Sequence, residues 1–572
     1  MADAEKLITE HLDLWSSAIK AKTSAGRGSS KKLGLYGISK LRELILDLAI
    51  RGMIVQQDES EGSASELMIE ISRERDKQIR EGNARKFKST HSIKPDETPF
   101  SIPKTWEWVQ LGDIQEFTNG FAFKSTDLHD GPGVGVVKIG DVYRNQGIGE
   151  HKMQFVTIDL ANSIDDKYII KPGEMVITMT GDVKVGFNRT QTNYLLNQRV
   201  GKIRCFLVNP KYIYFQLISV AEQKIKEASG GVIPNVSTSE INSTLISLPP
   251  LEEQHRIVAK VDELMALCDQ LEEEQENNLE THETLVSTLL NTLTSAAADA
   301  TEFADAWQRI QDNFDILFTT ESSVVQLKKT ILQLAVMGKL VHQDQEDEPA
   351  ETLLRRISEA REALTTRGEL KKQKSFSKAS KNTNNDTLPK GWSLALFGDV
   401  LFNRDSERVP LSVEARKLRP GNFDYYGASG VIDSIDDYIF NKTLLLIGED
   451  GANLINRSTP IAFIARGKYW VNNHAHVLDG ISETLLLYIC LHINSISLEP
   501  YVTGTAQPKM NQAKMNSIPL RIPPEKEQQR IILKVGELLA LCDRLKASLS
   551  SAQETQLNLA DSIVEQAIHS PA

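Results

Sequence analysis

The sequence has 572 residues, of which 40% are hydrophobic and 25% are charged, and its formal net charge is −12. This length exceeds what one hydrophobic core can organise, so we expect about three to five compact units of ordinary globular composition. The acidic balance argues against attraction of the whole molecule to nucleic acid. Residues 251–300, however, hold 12 acidic and only 2 basic residues, so a DNA-binding surface elsewhere in the chain is allowed.

Compartment and cysteine usage exclude several further classes of protein. No apolar run approaches the roughly 18–20 residues that cross a bilayer, and the acidic, amphipathic N-terminus is unlike a secretory signal. The four cysteines show neither CxxC nor Cys/His ligand spacing, which indicates neither a zinc site nor a disulfide framework. We therefore expect a cytoplasmic protein with no membrane association.

The chain repeats itself once. Four segments recur in the same order, the first two at an offset of 286 residues and the last two at an offset of 274. They are LRELILDLAIRGMIVQQD (41–58) and LKKTILQLAVMGKLVHQD (327–344), SIPKTWEWVQLGDI (101–114) and TLPKGWSLALFGDV (387–400), SGGVIPNVS (229–237) and TGTAQPKMN (503–511), and LPPLEEQHRIVAKVDELMALCDQLE (248–272) and IPPEKEQQRIILKVGELLALCDRLK (522–546). The repeat predicts a duplicated scaffold around two dissimilar inserts.

Seven regions follow from this repeat and from the two basic, polar linkers. In chain order they are an N-terminal helical region (1–80), a linker (81–102), a first variable domain (103–248), a central helical region (249–365), a second linker (366–388), a second variable domain (389–521) and a C-terminal helix (522–572). Each variable domain mixes short β-like runs with helices, as is typical of an α+β domain.

The repeated Pro-Pro segments are typical of the start of a helix. Proline is tolerated at the first helical position, and acidic residues suit the positive N-terminal end. Apolar residues then recur at 4-3-4-3 spacing, which is a coiled-coil stripe: Ile257, Val261, Leu264, Cys268 and Leu271 in the first copy, and Ile531, Val535, Leu538, Cys542 and Leu545 in the second. We expect each stripe to be covered by the other copy, although a helix packed on its own domain would show a similar pattern.

A helix from about 250 to 275 would span on the order of 38 Å, close to one turn of B-DNA. Two unlike readers held at a fixed separation suit DNA, because a rigid spacing converts into base-pair register.

Catalytic motifs are not evident. No GxxxxGK[ST] phosphate loop occurs, and neither PP pair has the amide or aromatic partner expected of an amino-methyltransferase motif. His474 and His476 lack a third ligand nearby in sequence, so we predict no catalytic or metal-binding residue.

The repeated helices, the segments LPKGW and YYGASGVID, and the loop TGTAQPKMNQAKMNSIPL resemble the specificity subunits of type I restriction-modification systems. The long segment before the first variable domain is similar to the longer, type IB group. The resemblance implies an α+β fold with two α/β target recognition domains. Long conserved helices would separate them and form an intramolecular antiparallel coiled coil with pseudo-twofold symmetry.

The resemblance also implies a function. Each recognition domain would read one half of a bipartite double-stranded DNA target, and the coiled coil would set the spacing. Two modification subunits would use S-adenosylmethionine to methylate adenine, and restriction subunits would use ATP and Mg²⁺ to cut foreign DNA. This chain would be non-catalytic and would bind no cofactor. A scaffold without DNA specificity, or a methyltransferase or nuclease with unrecognised motifs, remains the alternative.

For DNA contacts we select polar and aromatic residues of the variable domains, because such side chains pair with base edges or phosphates. In the first domain they are Lys124, Tyr143, Lys184, Arg189, Gln198, Arg199 and Asn235, and in the second Tyr425, Tyr426, Ser429, Asn453, Arg457, Asn473, His474, Thr505, Gln507 and Lys509. The first loop departs from the family pattern, because Val232 and Ile233 cannot make the polar contacts available to Thr505 and Gln507.

Overall fold

The computed structural model describes residues 8–21, 33–82, 93–143, 147–227, 236–296, 299–371, 388–504 and 507–569. Residues 83–92 of the first predicted linker and 372–387 of the second lie outside the described residues. The chain divides into two compact units, of which one comprises Met1–Asn277 with Gln553–Ala572 and the other comprises Asn278–Ala552.

The first unit begins with small helical elements and a two-stranded ladder. They are α1 (Leu12–Ser17), β1 (Lys20–Ala21), β2 (Leu33–Gly34), α2 (Tyr36–Ile50) and α3 (Ala64–Arg80). A capping box starts α3, because the Ser63 side chain accepts from the backbone N–H of Glu66 while the Glu66 carboxylate accepts from the N–H of Ser63. The buried face of α2 contributes Leu41, Leu44 and Leu48 to the core of this unit.

The first variable domain follows in the same unit and is built from short strands. Its elements are β3 (Glu107–Gln110), α4 (Leu111–Ile114), β4 (Gln115–Asn119), β5 (Val134–Val137), β6 (Val142–Tyr143), β7 (Gly147–Ile148), β8 (Gln154–Val156), α5 (Ile158–Ser163), β9 (Ile169–Ile170), β10 (Met175–Thr178), β11 (Val185–Phe187), β12 (Tyr194–Leu196), β13 (Val200–Cys205), α6 (Pro210–Glu227), α7 (Thr238–Asn242) and β14 (Leu245–Leu248). Two four-stranded sheets form in the orders β11-β10-β13-β4 and β8-β5-β12-β9, and β3 pairs with β14.

A series of helices leads from there into the second unit. They are α8 (Leu251–Ser295), α9 (Ala300–Asp312), α10 (Phe314–Leu317), α11 (Glu321–Val336) and α12 (Ala350–Thr366).

The second variable domain and the last helix complete the chain. Their elements are β15 (Ser393–Leu396), α13 (Phe397–Val400), β16 (Phe402–Asn403), α14 (Val413–Lys417), β17 (Pro420–Gly427), β18 (Gly430–Ile435), β19 (Phe440–Asn441), β20 (Leu444–Gly448), α15 (Asn453–Asn456), β21 (Ala462–Ala465), β22 (Lys468–Val471), β23 (Ala475–Asp479), α16 (Glu483–Ser495), α17 (Gln512–Asn516), β24 (Pro519–Ile522) and α18 (Glu525–His569).

The two variable domains share one topology despite their different sequences. The sheets of the second domain run β16-β23-β20-β21 and β18-β17-β22-β19, which matches the first domain strand for strand. Each domain also has one parallel pair in the corresponding place, β5 with β12 and β17 with β22. The predicted fold class is confirmed: the protein is mixed α/β, with two variable domains and long helices that fit a coiled coil.

The first repeated helix is longer than expected, and the second lies within its expected range of 522–572. Each has 45 residues, which corresponds to about 68 Å, so the expected end of the first helix near residue 275 was wrong. The helix continues because residues 272–284 are polar but contain neither proline nor glycine, and glutamate and glutamine favour helix. The helix α8 begins in the first unit and ends in the second, whereas α18 begins in the second and ends in the first.

The two apolar stripes lie in different hydrophobic cores. Ile257, Val261, Leu264 and Cys268 share the core of the first unit with Ala560, Ile563 and Ala567 from the end of α18. Ile531, Val535 and Cys542 share the core of the second unit with Val286, Leu290 and Leu293 from the end of α8. Leu271, Leu538 and Leu545 are partly buried against these cores. Each stripe therefore shares a core with the far end of the other long helix, and not with the equivalent stripe.

The repeated motifs form one polar constellation in each unit. In the first, the Trp106 Nε1–H donates to Glu253 at 2.9 Å, and the Gln254 amide donates to the carbonyl of Pro249 at 2.9 Å. In the second, Trp392 donates to Glu527 at 3.0 Å and Gln528 donates to Pro523 at 3.0 Å. The tryptophan of PK(T/G)W and the glutamate after PP thus recur together because they hydrogen-bond each other, whereas the glutamine bonds a proline carbonyl of its own segment.

The two buried glutamates differ in their partners. Glu253 also accepts a hydrogen bond from Gln57, whereas the Glu527 Oε1 atom has no partner among the residues that the structure describes. Burial raises the pKa of Glu527 to about 7. A folded-state pKa above the unfolded value of 4.5 means that the folded state holds the extra proton, so this contribution to stability is complete below about pH 4.5 and is lost as the pH rises through about 7.

We expect Glu527→Gln to remove this pH dependence. Between pH 5 and pH 8 the wild-type free energy of unfolding should fall by on the order of 3 kcal/mol more than that of the variant, as measured by urea unfolding. The comparison variant is Glu253→Gln: burial also raises the pKa of Glu253, but this carboxylate accepts two hydrogen bonds, so its replacement should destabilise the protein at every pH. Equal pH slopes for the wild type and Glu527→Gln would contradict this account.

Candidate nucleic-acid interface

Four loops of the second variable domain meet at one end of its sheets, and we call their described residues the second loop cluster: residues 428–429, 449–452, 472–474, and 503–504 with 507–509. Backbone hydrogen bonds join them, because the Glu449 N–H donates to the carbonyl of His474 at 2.8 Å and the Met510 N–H donates to that of Glu449 at 2.8 Å. The β17–β18 turn reaches the same point, since a Cβ on Gly448 would lie 2.6 Å from the carbonyl oxygen of Ala428.

A network of charged side chains lies beneath these loops. The Arg408 guanidinium contacts Glu449 at 2.9 Å and donates to the carbonyl of Ala475 at 2.7 Å. The Lys509 ammonium contacts the other oxygen of Glu449 at 3.2 Å. Arg408 and Glu449 are largely buried. Arg408 and Glu449 therefore connect the turn between β22 and β23, residues 472–474, to the loop that carries Lys509. This turn joins two different sheets, and we call it the second inter-sheet turn.

His476 extends this network into the core. It is 2% exposed, its Nδ1 lies 2.7 Å from Asp405 and its Nε2 lies 2.9 Å from the carbonyl oxygen of Met510. Both partners are acceptors, so both ring nitrogens must donate and the imidazole is cationic. Burial lowers the pKa of His476, but the hydrogen bond and the charge of Asp405 outweigh it and raise that pKa above its ordinary value. The same contact holds the pKa of Asp405 below its ordinary value, although burial acts in the opposite direction.

Five of the selected residues are exposed on the second loop cluster. They are Ser429, Asn473, His474, Gln507 and Lys509. Thr505 lies outside the described residues. The cluster therefore exposes amide, hydroxyl, imidazole and ammonium groups, which can pair with base edges and phosphates.

The other selected residues of this domain contact protein. Tyr425 is fully buried, so its ring lies in the core and is not available to DNA in this conformation. Tyr426 is half-buried and stacks on Phe463 at a ring distance of 5.8 Å. The Arg457 guanidinium donates to the carbonyl of Ile496 at 2.9 Å.

Asn453 holds its own loop. Its amide donates to the carbonyl of Thr459 at 3.1 Å, and its oxygen accepts from the hydroxyl of Ser458 at 3.0 Å. We therefore omit Tyr425, Arg457 and Asn453 from the interface that we propose below.

The first variable domain repeats the same backbone arrangement. The Met179 N–H donates to the carbonyl of Arg199 at 3.0 Å, and the Val236 N–H donates to that of Met179 at 2.9 Å. Met179 and Arg199 thus correspond to Glu449 and His474. We call this arrangement the first loop cluster: residues 179–184, 197–199 and 236. Gln198 and Arg199 are exposed on the turn between β12 and β13, residues 197–199, which we call the first inter-sheet turn. Asn235 lies outside the described residues.

Lys184 lies within the first loop cluster, and Lys124 and Tyr143 lie beside it. Lys184 closes the turn after β10, because its N–H donates to the Thr178 hydroxyl at 2.8 Å. Lys124 is exposed three residues after Phe121, whose carbonyl accepts from the Gln198 N–H at 2.9 Å. Tyr143 is half-buried on β6, beside β11.

Arg189 lies elsewhere. It follows the end of β11, which is next to the start of β10, whereas the loop cluster follows the end of β10. There it lines an open cleft of about 580 Å³ with Phe187, Lys211 and Tyr214. The structure therefore separates Arg189 from the other selected residues of this domain.

The sequence analysis missed the residues that hold the loops. Asp405 and Arg408 lie in a charged segment, RDSER, that reads as a solvated turn, and their partners are 41 to 72 residues away. The two histidines differ in their exposure: His476 is buried, whereas His474 is about half exposed and contacts Asp450.

The described residues include no group of three or more potential metal ligands and no helix long and apolar enough to cross a membrane.

Comparison with known proteins identifies the family. A family model for the type I restriction modification DNA specificity domain matches residues 103–281 and 389–550. The specificity subunits of the Escherichia coli type I restriction enzymes EcoEI and EcoAI are 34% and 32% identical to this chain, and each alignment covers 99% of this chain and 100% of the relative. The HsdS subunit from Thermoanaerobacter tengcongensis aligns with a TM-score of 0.41 at 15% identity, over 82% of this chain and 98% of that subunit. This chain belongs to the family of type I restriction enzyme specificity subunits.

Proposed function

We propose that this chain confers DNA sequence specificity on a type I restriction-modification complex, and that each variable domain reads one half of a bipartite target. One observation carries the proposal: the same hydrogen-bonded loop arrangement occurs twice, with different polar residues at the tip. A conserved arrangement with diverged tips is what two readers of different half-sites require.

The two inter-sheet turns carry the residues that we propose to read bases. Gln198 and Arg199 are exposed on the first loop cluster, and Asn473 and His474 on the second. In the major groove an amide side chain pairs with adenine and an arginine with guanine. Lys124 and Lys509 are placed to contact phosphates, which position the protein without selecting a base.

The partners follow from the same proposal. Two modification subunits that bind S-adenosylmethionine would methylate adenine at the target, and restriction subunits that use ATP and Mg²⁺ would cleave unmodified DNA. This chain contributes recognition and no catalysis, and the assembled complex would act on double-stranded DNA in the cytoplasm.

The test separates the two half-sites. The full chain assembled with its partner subunits is incubated with duplexes randomised in both half-sites, and bound DNA is sequenced. We expect Arg199→Ala to relax selection in one half-site and His474→Ala to relax it in the other, each by about fivefold to a hundredfold. Relaxation of both half-sites by either variant, or the absence of sequence selection by the wild type, would contradict the proposal.

Spacing provides an independent prediction. Seven residues inserted after Asn277 and seven after Ala552 would lengthen both long helices by about 10 Å while keeping the apolar stripes in register. At about 3.4 Å per base pair, the preferred gap between the half-sites should lengthen by roughly three base pairs. The same duplex selection measures the gap, and an unchanged gap would show that the helices do not set it.

A further inference from the structure

One contact recurs at both inter-sheet turns. In the first variable domain, the Arg199 guanidinium donates to the hydroxyl of Thr180 at 3.3 Å. In the second, the Nδ1 atom of His474 lies 2.7 Å from a carboxylate oxygen of Asp450. Thr180 and Asp450 are the second residues after β10 and β20, so they occupy equivalent positions. In each domain, the same loop position therefore contacts the side chain of the last residue of the inter-sheet turn, Arg199 or His474.

The two contacts have different chemical consequences. A guanidinium has only donors, so Thr180 can orient Arg199 but cannot change what it offers to a base. A neutral imidazole has one donor and one acceptor, and which nitrogen carries the proton depends on its partner. The Asp450 carboxylate accepts only, so in a neutral His474 ring the Nδ1 atom must donate and the Nε2 atom is left as an acceptor.

The Nε2 atom is free to meet a ligand. It has no hydrogen-bond partner among the residues that the structure describes, and the His474 side chain is 49% exposed. The backbone fixes the position of the ring as well, because the His474 N–H donates to the side-chain oxygen of Asn472 at 2.8 Å and its carbonyl accepts from Glu449. Asp450 is fixed too, since its backbone bridges to Lys509.

We propose that Asp450 determines which base His474 accepts, by fixing the tautomer of the imidazole. This inference rests on the proposed function. With Nε2 as an acceptor, His474 selects a base that offers an exocyclic amine in the major groove, which is adenine or cytosine. Asp450 is thus a positioning residue that acts through His474 and contacts no base itself.

Asp450→Asn tests the inference, because an asparagine amide has nearly the same shape but can donate to Nδ1 and so allow the proton to move to Nε2. The variant chain, assembled with its partner subunits, is selected against duplexes randomised in both half-sites. At one position of the second half-site, we expect the ratio of guanine and thymine to adenine and cytosine to rise about tenfold. Selection in the first half-site should be unchanged, which also reports that the complex is assembled.

The matched control is Thr180→Val in the first domain. Because Arg199 remains a donor without its support, the variant should bind its half-site more weakly and still prefer the same base. A changed base preference in Thr180→Val, or an unchanged second half-site in Asp450→Asn, would overturn the inference while leaving bipartite recognition intact. A wild type without selection in the second half-site would instead overturn the proposed function.

A second measurement covers the case in which Asp450→Asn disrupts the fold of its domain. In the wild-type chain labelled with ¹⁵N-histidine, we expect the His474 signals to show a protonated Nδ1 and an unprotonated Nε2, with the assignment taken from their absence in His474→Gln. A protonated Nε2 on a neutral ring would overturn the inference without any variant of Asp450.

Discussion

Leu264→Glu is expected to lower the free energy of unfolding of the first unit by about 4 kcal/mol, because it places a carboxylate without a partner in a hydrophobic core. Leu264 is 4% exposed and shares that core with the end of α18. Urea unfolding followed by hydrogen exchange with mass spectrometry reports the stability of each unit separately. We expect early exchange in α2 and in the strands of the first variable domain.

The matched control lies on the other long helix. Leu533 is 74% exposed on α18, so Leu533→Glu makes the same substitution without burying the charge and should change stability by less than about 0.5 kcal/mol. Equal effects of the two variants would show that the apolar stripe of α8 does not form the core described above.

Arg408→Met is expected to abolish selection in the second half-site while leaving the first half-site intact. The substitution removes the cation that contacts Glu449 and Asp405 and frees the carbonyl of Ala475. Removing one partner of a buried ion pair costs about 3–5 kcal/mol, which is enough to release the second inter-sheet turn from the loop that carries Lys509. Duplex selection with the assembled complex measures the effect.

An exposed arginine of the same domain is the control. Arg466 contacts Glu483 at 2.7 Å, and both side chains are about half exposed. Exposed pairs contribute little, so Arg466→Met should leave selection in both half-sites unchanged. If Arg408→Met were equally silent, the charged network would have no part in presenting the recognition loops.

The scaffold was accessible from sequence because it repeats a strong pattern. Proline pairs marked the start of each long helix, and the 4-3-4-3 stripe identified residues such as Ile257 and Ile531 that the structure buries. The end of α8 was not predicted, because the largely polar run of residues 272–284 interrupts the stripe, which resumes only at Val286, Leu290 and Leu293. The absence of proline and glycine before Ser295 is the sequence signal that the helix continues through this run.

The site was accessible in part. The segment NNHAHV drew attention to the second inter-sheet turn. On strand β17, however, the alternation of side chains does not indicate which face is buried, so Tyr425 and Tyr426 could not be distinguished. Arg408 and Asp450 act through partners that the sheet topology brings close, which no local spacing reveals. Arg189 illustrates the converse. It lies only five residues after Lys184 in sequence, but strand β11 separates the two residues in the structure.

Mapping of adenine methylation in the genome of the organism that carries this chain tests the central claim most directly. Comparison with a strain lacking the gene should reveal one methylated motif that depends on it, made of two specific half-sites separated by a fixed number of unspecified bases. The Arg199→Ala strain should relax one half-site and the His474→Ala strain the other. A continuous motif, or one relaxed as a whole by either substitution, would contradict two independent readers on one scaffold.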